Sequence, residues 1–376
     1  MLFLAPLVLT VLALLSTALN PKNQSQDYLG YFLGYLPLSV LPFLAGQSIK
    51  WQQPWTKLLF RWASIAFFIW GGIVASQFIW GWSLRNPSGG VDFRPFGFYS
   101  HPLTLAYVSL LLWPIQLARL AQDLRLTSSW LGLVGLLVIL ITTQSRACQA
   151  VALLITTVFL FLKLKGRGRI ISFFALTAFV LGIALTSNPV SDRFALLLNP
   201  ENPDRFSDYP DDRVAFWHAH WEMIKERPVL GHGIHLNHRY RIPYYESIGL
   251  EDFVRQYEAH NQLIQITANA GVFGLFLFLC WIYCLLKLSR EIDPEYRLGW
   301  VLCILGFVLA GLVQNAYSDG EVRHTLTVLL CISMVALKKQ VKKANYEPAT
   351  ILTPPDLVKP SADEKLAARS RENFPA

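Results

Sequence analysis

Long apolar blocks separated by short polar breaks fill the first 187 residues, and the same pattern returns after residue 262. The apolar residues fall in runs and do not alternate at an amphipathic spacing. Runs of about 16 to 27 residues suit helices crossing a hydrocarbon core that needs about 20 residues per span. The pattern predicts about ten spans, at 2–19, 29–46, 57–82, 102–118, 129–144, 147–162, 170–187, 262–287, 298–316 and 324–337. The expected fold class is all-α, a polytopic integral membrane helical bundle. One stretch needs a break: read as one helix, 129–162 would run about 50 Å at about 1.5 Å per residue, well past a core of about 30 Å. Thr142-Thr143-Gln144-Ser145-Arg146 is the polar cluster that supplies it, so a helical hairpin is expected, with Arg146 recessed near its tip.

Composition agrees: 53% of residues are hydrophobic and 15% charged. The net charge of +8 does not point to nucleic acid, because the basic residues sit between spans, at Lys50, Lys57, Arg119, Arg125, Lys163-Lys165-Arg167-Arg169, Lys287, Arg290 and Lys338-Lys339-Lys342-Lys343. With those loops in the cytoplasm, both termini lie inside and the long segment 189–261 lies outside. Residues 189–260 hold twelve acidic residues against eight basic ones, which argues against a nucleic-acid partner. The organisation expected is then helices 1 to 7 in 1–188, a periplasmic loop in 189–261, helices 8 to 10 in 262–337, and a disordered cytoplasmic tail in 338–376. Membrane lipids are the surroundings of every span.

The first apolar segment has no basic n-region after Met1 and no small-x-small cleavage site, so it is read as a retained span. The five cysteines all fall in or beside apolar segments, which gives the external loop no disulfide framework. Within that loop, 200–210 reads as turn, and about 211–227 reads as an amphipathic helix stopped by Pro228. Its apolar side is expected to be Val214, Trp217, Trp221 and Ile224, with Arg213, Trp217 and His220 near one face.

All eight histidines fall on the external side of this topology. His218-x-His220, or His232 with His235 and His238, has spacing a metal can use, but Gly233 opposes a helix and no carboxylate or cysteine completes a zinc pattern. No metal and no cofactor are expected. His260 stands apart, because Glu258-Ala-His260-Asn261 meets the membrane just before Gly271-x-x-Gly274, small residues that allow close helix approach. As a lone histidine it is an ordinary helix-start residue; as a titratable group at the water–lipid boundary it is a candidate base. Arg146 either snorkels from its hairpin or faces an anion. Arg213 either is solvated and paired with Asp208 or Glu222, or points into a cavity.

His260-Asn261-x₉-Gly271 resembles the His-[Asn/Ser/Gln]-x₉-Gly signature of the O-antigen ligase and polymerase family of bacterial membrane glycosyltransferases. Ser145-Arg146, Arg213-x-x-x-Trp217 with Pro228-x-x-Gly231-x-Gly233, and Gly97-Phe-Tyr-Ser-His101-Pro-Leu-Thr-Leu-Ala resemble further family motifs, over roughly residues 90–290. Ala147 and Leu103 depart from the usual glycine and asparagine. The resemblance implies transfer of a glycan from undecaprenyl diphosphate, on the periplasmic side of the inner membrane, to the hydroxyl of a lipid or glycan acceptor. It implies His260 as base, Arg146 and Arg213 as cations on the leaving diphosphate, and Arg239, Arg241, Asn261 and Glu258 as further substrate contacts. A repeat-unit polymerase is the competing reading within the family. A small-anion, inorganic-carbon transporter is the competing class, although the sequence lacks inverted repeats and acidic residues within spans.

Overall fold

One helix is buried along nearly its whole length, and the rest are arranged around it. The structure, a computed structural model, describes residues 2–20, 22, 28–49, 53–83, 94–170, 172, 174, 212–234, 238–250 and 258–337. Its helices are α1 (Leu4–Ala18), α2 (Tyr28–Ser48), α3 (Gln53–Trp80), α4 (Pro102–Gln122), α5 (Thr127–Thr142), α6 (Arg146–Lys163), α7 (Asp212–Glu226), α8 (His238–Glu246), α9 (Gln262–Leu288), α10 (Pro294–Gly311) and α11 (Gly320–Val335). No strand occurs among the described residues. Most of the span expected at 170–187, the turn at 200–210 and the tail after 337 lie outside the described residues.

Helices α2, α3, α4, α6, α9 and α10 are long and apolar enough to cross a membrane, while α1 and α5 are shorter apolar helices. The chain is a multi-pass membrane protein with six such helices among the described residues, against the ten expected. Burial separates their roles. In α4, 89% of the apolar window is inside the protein, against 22% for α2, α3 and α6, so α4 is the central post and the others turn most of their surface to lipid. Around it pack α5, α6, α10 and α11; α3 lies on α5, α2 on α11 and α1, and α1 on α9.

A helix buried on all sides still has polar side chains to satisfy, and in a dry interior they must find protein partners. On α4, Gln116 Nε2 donates to Ser129 O at 2.8 Å and to Ser64 Oγ at 2.9 Å, and Trp113 Nε1 donates to Thr156 Oγ1 at 2.8 Å. These bonds tie the post to α3, α5 and α6. The predicted break in 129–162 is present as the turn Thr143–Ser145 between α5 and α6. Arg119, Lys163 and Lys287 lie in the last turns of α4, α6 and α9, so one end of these helices is basic.

Gly271 was expected to let helices approach closely; the structure gives it another task. Its backbone is non-helical, at φ 65° and ψ −169°, and it breaks α9. The break strands hydrogen-bonding groups, and the segment after α7 takes them up: His232 N donates to Ala268 O at 2.8 Å, Gly233 N to Asn269 O at 2.8 Å, and Val272 N to Pro228 O at 2.9 Å. A side chain at Gly271 would put its Cβ 2.0 Å from Val229 O, and one at Gly231 would put it 2.5 Å from Asn269 C. The Pro228-x-x-Gly231-x-Gly233 and x₉-Gly271 spacings are therefore the two halves of one splice. The end of α1 holds it from the other side, through Thr17 Oγ1 accepting from Ile234 N and Asn20 Nδ2 donating to His232 O, each at 2.9 Å.

Helix α7 buries a face only partly the one its apolar residues suggested. Ala215, Phe216, Ala219, His220, Met223 and Ile224 are inside and Trp217 is half-buried against them, whereas Trp221 is 55% exposed. The helix is held between α8 and α9, and the two contacts together select the face.

Candidate active site

At the end of the bundle opposite those basic last turns, a cavity of about 140 Å³ opens where α4 and α6 begin and α10 ends. Arg94, Gln144, Arg146, Arg213, Tyr107 and Gln314 are among the residues lining it, and none of the described lining residues is acidic. Arg146 is the first residue of α6, so its guanidinium and the positive end of that helix share one region. Both favour an anion. Arg213 enters from the first turn of α7. Glu222, one partner considered for it, accepts from Lys225 at 2.7 Å; Asp208 lies outside the described residues.

Arg94 is a cation that the sequence did not single out. Its Nε and Nη2 donate to Thr143 O at 2.9 and 2.6 Å, holding the tip of the α5–α6 turn. Next to that carbonyl, Gln144 adopts φ 53°, and His260 adopts φ 45°. These are the positive-φ residues other than glycine among the described residues, and both are at this site. Such backbone persists only where surrounding contacts impose it.

His260 sits immediately before α9, half-buried, with its ring centroid 5.5 Å from that of Phe216 on α7 and its side chain near Gln314. Burial holds its pKa below the ordinary value of 6.5, and the positive charge of Arg213 lowers it further, while Glu258 and the bond to Gln314 oppose that shift. The neutral imidazole is thus the form at pH 7. Arg146 and Arg213 line the cavity directly, and His260 joins it through Gln314.

The other predicted contacts lie differently. Asn261 caps α9, its Oδ1 accepting from Leu263 N at 3.0 Å and Ile264 N at 3.2 Å, so that oxygen serves the fold. Glu258 accepts from Asn315 Nδ2 at 2.8 Å and acts on His260 through its charge. Arg241, on α8, is buried beside His220 and is not among the residues lining the cavity. Arg239 is also on α8, but its side chain is outside the described residues. His220 is fully buried, its Nδ1 donating to Phe216 O at 2.8 Å, and burial pushes its pKa down to about 3. His232 uses both ring nitrogens: Nε2 donates to Met223 O at 2.6 Å and Nδ1 accepts from Tyr240 Oη at 2.5 Å. Among the described residues no group of three or more His, Cys, Asp or Glu is placed to hold a metal.

Residues 131–279 match the family described as O-antigen ligase. That segment of the chain is similar to this family. The match runs from α5 into α9 and contains Arg146, Arg213, His260 and Gly271, whereas Arg94 and Gln314 reach the same cavity from outside it. Curated relatives are similar over part of this region. A Rickettsia felis protein named "Putative polysaccharide ligase" is 29% identical over 128 residues, 33% of this chain and 31% of the relative. A Rickettsia conorii relative has the same identity and coverage, and one from Rickettsia bellii is 24% identical over 154 residues, 38% of each chain. The matched segment thus spans about a third of the length of these relatives.

Proposed function

We propose that this chain is a ligase-type glycosyltransferase that moves a glycan from a polyprenyl diphosphate to the hydroxyl of a lipid or glycan acceptor. The observation that carries the reading is the cavity itself: three arginines, a helix N-terminus, no described acidic lining residue, and a neutral histidine near Gln314 of its lining. An anion of high charge density is what such a surface accepts. The end of a span is also where the headgroup of a lipid-linked donor lies. With the basic last turns of α4, α6 and α9 in the cytoplasm, the cavity opens on the periplasmic side of the inner membrane.

In the proposed step, the acceptor O–H gives its proton to the His260 imidazole as the oxygen bonds to the anomeric carbon. The carbon–oxygen bond to the diphosphate breaks, and its electron pair leaves with the diphosphate. Arg146 and Arg213 hold the charge that develops there. The planar guanidinium fork pairs with two phosphate oxygens and keeps its charge at any working pH. General-base catalysis of this kind contributes about 10²- to 10⁴-fold, and each preorganised cationic or hydrogen-bonding donor about 10²- to 10³-fold. Arg94 shapes the floor by keeping the α5–α6 tip, and with it Arg146, in place.

The test is reconstitution of the purified chain with a polyprenyl-diphosphate oligosaccharide and extracted envelope lipids, following transfer of the glycan and release of the carrier diphosphate. Transfer by the wild type and its loss in Arg146→Ala is the expected result. No transfer, beside a control enzyme active on the same donor, overturns the reading; uptake of small anions into the same vesicles would replace it with transport.

A further inference from the structure

We infer that the turn joining α10 to α11, residues 312–319, is the positioning element for His260, and that Gln314 on this turn holds its imidazole. The inference rests on the reading of His260 as the base. Sequence alone gives this turn no distinction, since residues 312–316 read as the end of the apolar span 298–316. The structure ties it to the His260 segment at several points. Asn315, 8% exposed, donates from Nδ2 to Glu258 Oε2 at 2.8 Å and to Gln265 Oε1 at 3.4 Å. The same Gln265 oxygen accepts from Ala259 N at 2.9 Å, and Gln262 Oε1 accepts from Tyr317 N at 2.9 Å.

The turn is in turn fixed to the bundle. Arg323 Nη1 donates to Tyr317 O at 3.2 Å and Ser318 O at 2.6 Å, and Thr104 Oγ1 on the central helix donates to Asp319 Oδ2 at 2.5 Å. A loop pinned on both sides can impose the left-handed backbone of His260, which a histidine rarely adopts unaided. Gln314 then combines two placements: it lies near the His260 side chain and it lines the arginine cavity. Its carboxamide oxygen accepts from an imidazole N–H, which fixes the tautomer and leaves the lone pair on the other ring nitrogen. A carboxylate there would do the same while adding charge beside the arginines. An amide orients the ring without neutralising the anion site.

The groups that set the titration of His260 are Arg213 and His220 from α7, His101 at the start of α4, and Glu258 from its own segment. Gln314 adds an uncharged hydrogen bond to these, and that bond favours the protonated ring. The test uses the full chain in nanodiscs, with donor turnover measured across pH for wild type, Gln314→Leu, Gln314→Glu and His260→Ala. The expected result for Gln314→Leu is a kcat loss of about ten- to a hundredfold, the usual range for a misplaced catalytic group. Its donor KM stays within about twofold of wild type, and the acid limb of kcat/KM moves to lower pH. Gln314→Glu recovers part of kcat and moves that limb to higher pH. Wild-type kcat in Gln314→Leu, or loss in both variants with the limb unmoved, overturns the inference and leaves Gln314 as packing alone. Full activity in His260→Ala instead overturns the underlying reading of the base, an outcome distinct from either.

Discussion

His232 and His260 both touch α7, and burial lowers the pKa of both, yet their surroundings differ. His232 spends both ring nitrogens inside the fold, stapling the splice of α9 to α7 and α8, and is fully buried. His260 is half-buried in a left-handed backbone, next to a cavity with three arginines. A depressed titration alone would not tell the two apart. What separates them is what surrounds each ring: a carbonyl and a phenol for one, the Phe216 ring and the charge of Arg213 for the other.

The sharpest way to break that contrast is to truncate each ring. His260→Ala should lower kcat/KM by about 10²- to 10⁴-fold while unfolding near the wild-type temperature. His232→Ala should do the reverse. It removes two buried hydrogen bonds, at about 1 to 3 kcal/mol for each group left unsatisfied, so melting falls while turnover per folded molecule is kept. Thermal unfolding in detergent beside the transfer assay reads both. Loss of turnover in His232→Ala without loss of stability would erase the distinction. The arginines come next: Arg146→Ala and Arg213→Ala should each cost about 10²- to 10³-fold in kcat/KM, and Arg146→Lys should recover only part, because lysine keeps the charge without the fork.

Hydropathy made the apolar helices legible, and the polar cluster at 142–146 made the turn between α5 and α6 legible, because the length of a bilayer leaves few alternatives. Arg146 and Arg213 stood in recognisable local patterns, and both prove to line one cavity. Arg94 and Gln314 did not. The partner of Arg94 is the backbone carbonyl of Thr143, 49 residues away, which no side-chain pattern encodes. Gln314 lies at the edge of an apolar run, and its importance comes from the turn folding back on His260. Gly271 was visible as a motif but misread, because the spacing of small residues looks the same for close helix packing and for a backbone break. Asn261 was visible too, and its position just before a helix was the cue to the capping role it has.

Two smaller effects refine the comparison. The activity of the wild type should hold through neutral pH and fall only below the ordinary imidazole value of about 6.5, since the base form is lost as pH drops through a lowered pKa. Arg213→Gln removes a charge that lowers it, so the acid limb of its residual activity should move up; a limb that stays put would separate Arg213 from His260. Least of all, Asn261→Ala should cost about 1 kcal/mol of stability through the lost cap, measured by chemical unfolding.

The division of labour between arginine cavity and histidine is tested most directly by measuring donor binding and product formation together in His260→Ala. A labelled polyprenyl-diphosphate oligosaccharide and the protein in nanodiscs suffice. The account predicts donor affinity within about threefold of wild type, because the cations that hold the diphosphate are intact, with product formation lost. A His260→Ala protein that still forms product at the wild-type rate would contradict it.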